Sequence, residues 1–214
     1  MFLSSLIAAL VSAIAVSSAT QTSPARPKIV ALGDSLTSGQ GIGAELAYPA
    51  LLQPRLDAAG LEYTVVNAGV PGDTSTGALR RFERALEGDV RVLIVALGAN
   101  DGLRGVPIER LKENLSRIIE TAQARGIAVL LCGMEALPIP GWDYSVAFHN
   151  AYRDLAAQYK VPLVPFIMFN VIGTPDLMQR DRAHPNAAGQ RVIADKIWPY
   201  LESLIAHAVS KPCL

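Results

Sequence analysis

Five short aliphatic runs, separated by stretches of helical periodicity, constrain this chain more than any other feature. Lys28–Leu32, Tyr63–Asn67, Val90–Leu97, Ala128–Met134 and Leu163–Phe166 read as strands. They lack the sustained apolar–polar alternation of a strand with one wet face, so they suit a sheet covered on both sides. Tyr48–Ala59 and Ser75–Leu86 read as helices ending at Gly60 and Gly88. The clearest helix is Pro107–Arg125, where Ile108, Leu111, Leu115, Ile118, Ile119 and Ala122 form one stripe. Pro107 suits its first turn and Gly126 its C-terminal stop. Asp143–Tyr159 is a further helix. Asn186 caps a last one running towards His207, with Pro199 as a break or restart.

Strands that alternate with helices pair in parallel, because each crossover carries the chain back across a face of the sheet. The expected fold is α/β, a three-layer α/β/α sandwich around a five-stranded parallel sheet. Such sheets gather their sites at the carboxyl ends of the strands. The polar segments fall there: Gly33–Gly39 after the first strand, Ala68–Ser75 after the second, Gly98–Gly102 after the third, and Asp181–His184 well after the fifth.

Composition sets the outer bounds. The 214 residues suit one domain, expected over 27–210. Met1 to Val16 is apolar and uncharged, and Ser17-Ser18-Ala19 offers small residues for cleavage, so 1–19 reads as a secretory signal peptide. An uncleaved anchor is the alternative, although the run is shorter than the ~20 residues of a membrane span. Residues 20–26 then form a flexible N-terminus, and the mature chain has no membrane span. This leader places the protein in the periplasm or outside the cell. Lys+Arg and Asp+Glu both number 19, which gives no basic footprint for nucleic acid. Three scattered histidines and two distant cysteines give no metal-ligand spacing. Cys132 reads as a buried thiol and Cys213 as an exposed one, with a bridge between them left open by an oxidising compartment. Gly39-Gln40-Gly41-Ile42-Gly43 has no lysine for a phosphate and no dinucleotide pattern; it reads as flexibility beside Ser35.

A hydroxyl becomes a useful nucleophile when a base takes its proton, and that base must be held in one tautomer. Ser35, in Gly33-Asp34-Ser35-Leu36, stands where the first strand ends. Asp181 and His184 share one short loop stiffened by Pro185, so the carboxylate can hold Nδ1 and leave Nε2 for a serine. His149 and His207 fall inside helical runs, with no carboxylate placed to orient them from a loop. Asn100 and Gly72 can offer a side-chain and a backbone N–H to a developing oxyanion. Taken singly, Asn100 and Gly72 are equally turn formers, with Asp73 or Ser75 as a helix cap, and Ser35 on its own tetrapeptide reads first as a cap; it becomes a nucleophile only together with the other segments. Asp73 and Asp101 read as structural.

Four blocks stand in order: Gly33-Asp34-Ser35-Leu36-Thr37-Ser38-Gly39, Asn67-Ala68-Gly69-Val70-Pro71-Gly72-Asp73-Thr74-Ser75, Gly98-Ala99-Asn100-Asp101-Gly102-Leu103-Arg104-Gly105 and Asp181-Arg182-Ala183-His184-Pro185-Asn186. In these the chain resembles the SGNH (GDSL-type) hydrolases, and within them the bacterial arylesterase, acyl-CoA thioesterase I and lysophospholipase L1 group. The likeness spans essentially the whole mature chain. It implies a flavodoxin-like SGNH hydrolase fold, with Ser35 as nucleophile, His184 as base and then acid, and Asp181 as its orienter. It also implies an oxyanion hole of the Ser35 N–H, the Gly72 N–H and the Asn100 side chain, and no cofactor. Arg182-Ala183 depart from the family pattern, where Gly and a branched apolar residue are more usual. Gly33-x-Ser35-x-Thr37 also lacks the second glycine of the nucleophile elbow of α/β-hydrolases.

The implied activity is hydrolysis of short or medium acyl or aryl esters through an acyl-serine, with thioesters and lysophospholipids in range. The partner is a small-molecule ester or thioester. A carbohydrate O-deacetylase is the alternative within the family. A non-catalytic binding module on the same fold would need a lost catalytic group, and none is lost. Glu135–Tyr144 is apolar and proline-rich: it either walls an acyl groove or forms a packed loop anchored by Trp142.

Overall fold

In the computed structural model, residues 25–136 and 141–209 are described. The signal-peptide reading over 1–19, Cys213, and the Leu137–Pro140 part of the proline-rich segment lie outside them.

The aliphatic runs are strands: β1 (Lys28–Gly33), β2 (Thr64–Gly69), β3 (Val90–Ala96), β4 (Ala128–Cys132) and β5 (Leu163–Val164). They pair in parallel in the order β2-β1-β3-β4-β5, the flavodoxin-like order expected. The central strands are covered on both faces: Ile29 to Leu32 and Leu93 to Leu97 are fully buried. This explains their unbroken aliphatic character, because neither face meets water.

The helices are α1 (Ser35–Ser38), α2 (Tyr48–Ala58), α3 (Ser75–Ala85), α4 (Ala99–Arg104), α5 (Ile108–Ala124), α6 (Trp142–Tyr159) and α7 (Ala187–Val209). α2 packs with α7, while α5 packs with both α3 and α6, which gives the two outer layers. The α5 stripe buries Leu111, Leu115, Ile118, Ile119 and Ala122, with Ile108 at its edge. Asn114 is buried among them because Ser75 and Thr76 on α3 accept its side-chain N–H groups at 2.9 and 2.8 Å. Asn186 caps α7 as expected, its Oδ1 accepting from the Ala188 and Gly189 N–H groups.

Three expectations need correcting. α7 runs unbroken through Pro199. The carbonyl that Pro199 leaves without a donor belongs to Asp195, and both residues are exposed, so water can serve it. Buried Ile193, Ile197, Leu201 and Ile205 hold the two halves on one core. Secondly, α3 is capped by Thr74, whose Oγ1 accepts from the Gly77 N–H at 3.2 Å, and not by Asp73 or Ser75. Thirdly, Trp142 is not a buried anchor: it opens α6 with 73% of its surface exposed. Cys132 is a fully buried free thiol, as read.

Candidate active site

Every strand ends against one cleft, and the segments after β1, β2, β3, β4 and β5 build it. The β1 end turns without delay into α1. A side chain at Gly33 would collide with that of Thr37 and come within 2.9 Å of the Ala96 carbonyl, so only glycine lets the turn fold this tightly. Asp34 caps α1: the Leu36 N–H donates to its Oδ1 at 3.0 Å. Ser35 is the first residue of α1, which tips its hydroxyl into the cleft.

The second loop, after β2, is held by Arg81 of α3. Its guanidinium donates to Asp73 Oδ2 at 2.7 Å, to the Ala68 carbonyl at 2.8 Å and to the Gly33 carbonyl at 2.9 Å. One planar fork thus ties the ends of β1 and β2 to the loop carrying Gly72. The third loop begins at Gly98, whose φ of 117° suits glycine, and whose absent side chain leaves room for the Tyr152 hydroxyl. Asn100 follows in α4. Its Nδ2 donates to the Asp73 carbonyl at 2.9 Å and to Asp34 Oδ2 at 3.3 Å, so the amide sits between the first two loops. Asp101 locks α4 to α3 by accepting from the Ser75 N–H at 2.8 Å and the Ser75 hydroxyl at 2.6 Å, the structural role expected. Asp73 is likewise structural.

The fourth segment is the loop before α7. Gln179 N–H donates to the His184 carbonyl at 2.8 Å, closing residues 178–185 into a small antiparallel bridge. Inside it, Arg182 takes φ 56°, a left-handed conformation that costs a non-glycine residue about 1 kcal/mol. In this loop the Ala183 and His184 N–H groups both reach Asp181 Oδ1 at 3.0 Å. Asp181 Oδ2 lies 2.7 Å from His184 Nδ1. The imidazole then extends to Ser35, with Nε2 to Oγ 3.0 Å, across 149 positions of sequence.

The two aspartates nearest this pair are pulled in opposite directions. Burial pushes Asp34 up from its ordinary 3.8 to about 6, resisted by the Leu36 N–H and by His184. Asp181 is held down at about 2 by its hydrogen bonds to the His184 ring and to the two loop N–H groups. Asp181 is therefore a fixed anion behind the imidazole across the neutral range.

The cleft opens into a cavity of about 450 Å³ that includes Ser35, Gly72, Asn100 and His184. Leu103, Met134, Ala136, Phe166, Met168 and Ile172 make its walls apolar. Glu135 and Arg182 are its charged lining residues besides His184. Glu135 and Ala136 bring the start of the proline-rich segment to the cavity, the groove reading rather than the packed-loop one. A second groove of about 550 Å³, lined by Lys160, Tyr200 and His207 among others, shares no residue with it. There His207 Nδ1 lies 2.6 Å from the Ser203 carbonyl of its own helix, which ties the ring to its helix end.

The five residues singled out in the sequence, Ser35, Gly72, Asn100, Asp181 and His184, thus converge. His149 departs from its reading: its Nδ1 lies 2.6 Å from Glu135, a carboxylate on the loop after β4. Gly39, Gly41 and Gly43 all take positive φ, so this run shapes tight turns beside Ser35. Sequence reasoning also missed two glutamines. Gln179 Nε2 donates to the Gln40 and Pro185 carbonyls at 2.7 and 3.0 Å, tying the histidine loop to the segment after Ser35. Gln190 accepts from the Tyr48 N–H at 2.8 Å and donates to the Leu36 carbonyl at 2.9 Å. Gln190 had a signal: it lies three, four and seven residues before buried Ile193, Ala194 and Ile197, a polar residue on an apolar helix face.

Among known proteins, residues 31–192 match the GDSL-like Lipase/Acylhydrolase family. The chain is 40% identical over 187 residues to Esterase TesA of Pseudomonas aeruginosa, covering 87% of this chain and 92% of that one. It is 37% identical over 180 residues to Thioesterase 1/protease 1/lysophospholipase L1 of Escherichia coli, covering 84% and 85%. The crystal structure of TesA superposes with a TM-score of 0.79 at 39% identity, covering 83% of this chain and 99% of that one.

Proposed function

The chain belongs to the GDSL-like lipase/acylhydrolase family and is a serine esterase of that family; from this premise we propose that Ser35, His184 and Asp181 carry its chemistry. The observation that supports the assignment most is the Oγ–Nε2 distance of 3.0 Å, with the Asp181 carboxylate 2.7 Å behind the ring. His184 takes the Ser35 proton on Nε2 as Oγ attacks the acyl carbon, and Asp181 stabilises the imidazolium. The carbonyl oxygen becomes an anion beside the Ser35 N–H, the Gly72 N–H and Asn100 Nδ2. The 3.3 Å bond from Asn100 to Asp34, longer than its bond to Asp73, is the one an oxyanion replaces. His184 then protonates the departing alcohol or thiol. Water attacks the acyl-serine by the same route in reverse.

The apolar walls favour a short or medium acyl or aryl group over a sugar, and they accept esters, thioesters and lysophospholipids alike. This argues against the O-deacetylase alternative. A periplasmic or secreted location is part of the proposal. It is supported by the apolar Met1–Val16 stretch and the small residues after it. No helix among the described residues is long and apolar enough to cross a membrane.

The test is hydrolysis of p-nitrophenyl butyrate by wild type and Ser35→Ala, with fluorophosphonate labelling read by mass mapping. We expect turnover to fall by at least ~10⁴ and the label to sit on Ser35 alone. Equal rates, or a label on another residue, would defeat the assignment.

A further inference from the structure

Three ionisable side chains line the catalytic cavity: Glu135, His184 and Arg182. Glu135 is engaged by His149 at 2.6 Å, and His184 by Asp181 at 2.7 Å. Arg182 makes no ion pair or side-chain hydrogen bond among the described residues, and it is exposed. Glu135 is the one carboxylate in the lining and is already engaged by His149, so the unpaired guanidinium is the group left to meet an anion.

The backbone sharpens this. The turn that delivers His184 needs a residue near φ 56° at position 182, a conformation glycine adopts freely. The chain instead holds an arginine there against strain. Lys160 and Asn170 share this conformation elsewhere on the surface, but Arg182 alone of the three lines the cavity, and residues held this way by their surroundings cluster at ligand sites. The position also says which half of a substrate the charge meets. His184 hands its proton to the leaving atom, so the departing alcohol or thiol passes the 181–184 loop, while the acyl group has the apolar walls.

We propose that Arg182 is a specificity determinant, selecting esters and thioesters whose leaving group carries an anion such as a phosphate, sulfonate or carboxylate. This rests on the hydrolase assignment above. The bond chemistry is unchanged; the guanidinium adds attraction between an exposed cation and the anion of the departing half. For one solvent-exposed charge pair the effect is about two- to fivefold, larger at low salt.

The experiment uses three thioesters with one acyl group: S-butyryl mercaptoethanesulfonate, S-butyryl mercaptoethanol and S-butyryl thiocholine, whose leaving groups are anionic, neutral and cationic. kcat/KM is measured for wild type, Arg182→Lys, Arg182→Gln, Arg182→Glu and Arg182→Gly at two salt concentrations. The readout is the anionic-to-neutral ratio within each variant, which cancels any common change in folding or turnover. Wild type and Arg182→Lys should favour the anionic substrate about two- to fivefold, Gln and Gly should not, and Glu should invert the order. The preference should shrink as salt rises. Ratios equal in all five proteins overturn the proposal. Wild type inactive on all three substrates would instead strike the hydrolase assignment, so the two failures are distinguishable. Butyryl-CoA and 1-butyryl-glycerol 3-phosphate then separate a nucleotide from a glycerol phosphate: the natural leaving group is the one whose rate drops further in Arg182→Gln. A drop in neither counts against the proposal.

Discussion

Two histidine–carboxylate pairs border the same cleft, and of the two only His184 faces the Ser35 hydroxyl. His184 and Asp181 meet at 2.7 Å, His149 and Glu135 at 2.6 Å. Contact distance does not separate them. What separates them is the far side of each pair. His184 Nε2 faces the Ser35 hydroxyl, and Asp181 is clamped by two backbone N–H groups on a bridged loop. His149 lies mid-helix on the exposed face of α6, and its partner is a half-buried residue of a loop. On the proposed assignment, the catalytic pair is the one whose carboxylate is fixed by the backbone and whose imidazole has a hydroxyl beyond it.

The largest break in the comparison is Asp181→Asn. The amide keeps the shape but offers an N–H where Nδ1–H needs an acceptor, which favours the wrong tautomer. We expect kcat to fall by as much as ~10⁴-fold with KM little changed. Steady-state kinetics on p-nitrophenyl butyrate checks this; a loss under tenfold would mean that Asp181 does not orient His184.

Asp34 sharpens the contrast from the other side of Ser35. Its folded value of about 6 lies above the ordinary 3.8, so the folded chain keeps a proton that the unfolded chain has released. The stabilisation is complete below about pH 4 and lost as pH rises through about 6, a change of about 3 kcal/mol. Asp181 contributes in the opposite sense: its depressed value gives stability present above 3.8 and lost as pH falls towards 2. Urea denaturation of wild type and Asp34→Asn between pH 4 and pH 8 isolates the first effect. Wild-type stability, relative to the variant, should decline by about 2 kcal/mol across that range. A difference constant with pH would remove Asp34 from the account.

How far the sequence foretold this arrangement depends on how local each signal was. The five strands and the long helices were legible because apolar period and glycine stops are local properties. Ser35, Gly72, Asn100, Asp181 and His184 were legible because each occupies a short block at a strand end or on one loop. Pairings across the fold were not. Nothing near His149 in sequence marks Glu135, fourteen residues away at the start of the proline-rich segment, as its partner. Arg81 carries no local sign that its guanidinium will bind the ends of β1 and β2. The unbroken α7 was misread because Pro199 was weighed by its own propensity, while the buried residues on either side decided the outcome.

The smallest effect is the most pointed check on the comparison. Glu135→Gln removes the carboxylate of the second pair but keeps a side chain able to accept a hydrogen bond from His149. Both partners are partly exposed, with side chains 34% and 47% accessible, so the contact is worth less than about 1 kcal/mol. Glu135 does line the cavity, and neutralising it leaves Arg182 the more dominant charge there. We therefore expect stability to change by less than about 1 kcal/mol, and kcat/KM on a neutral ester by less than about threefold. A loss approaching that of Asp181→Asn would make the second pair part of the chemistry and dissolve the distinction drawn from the backbone clamp and the serine.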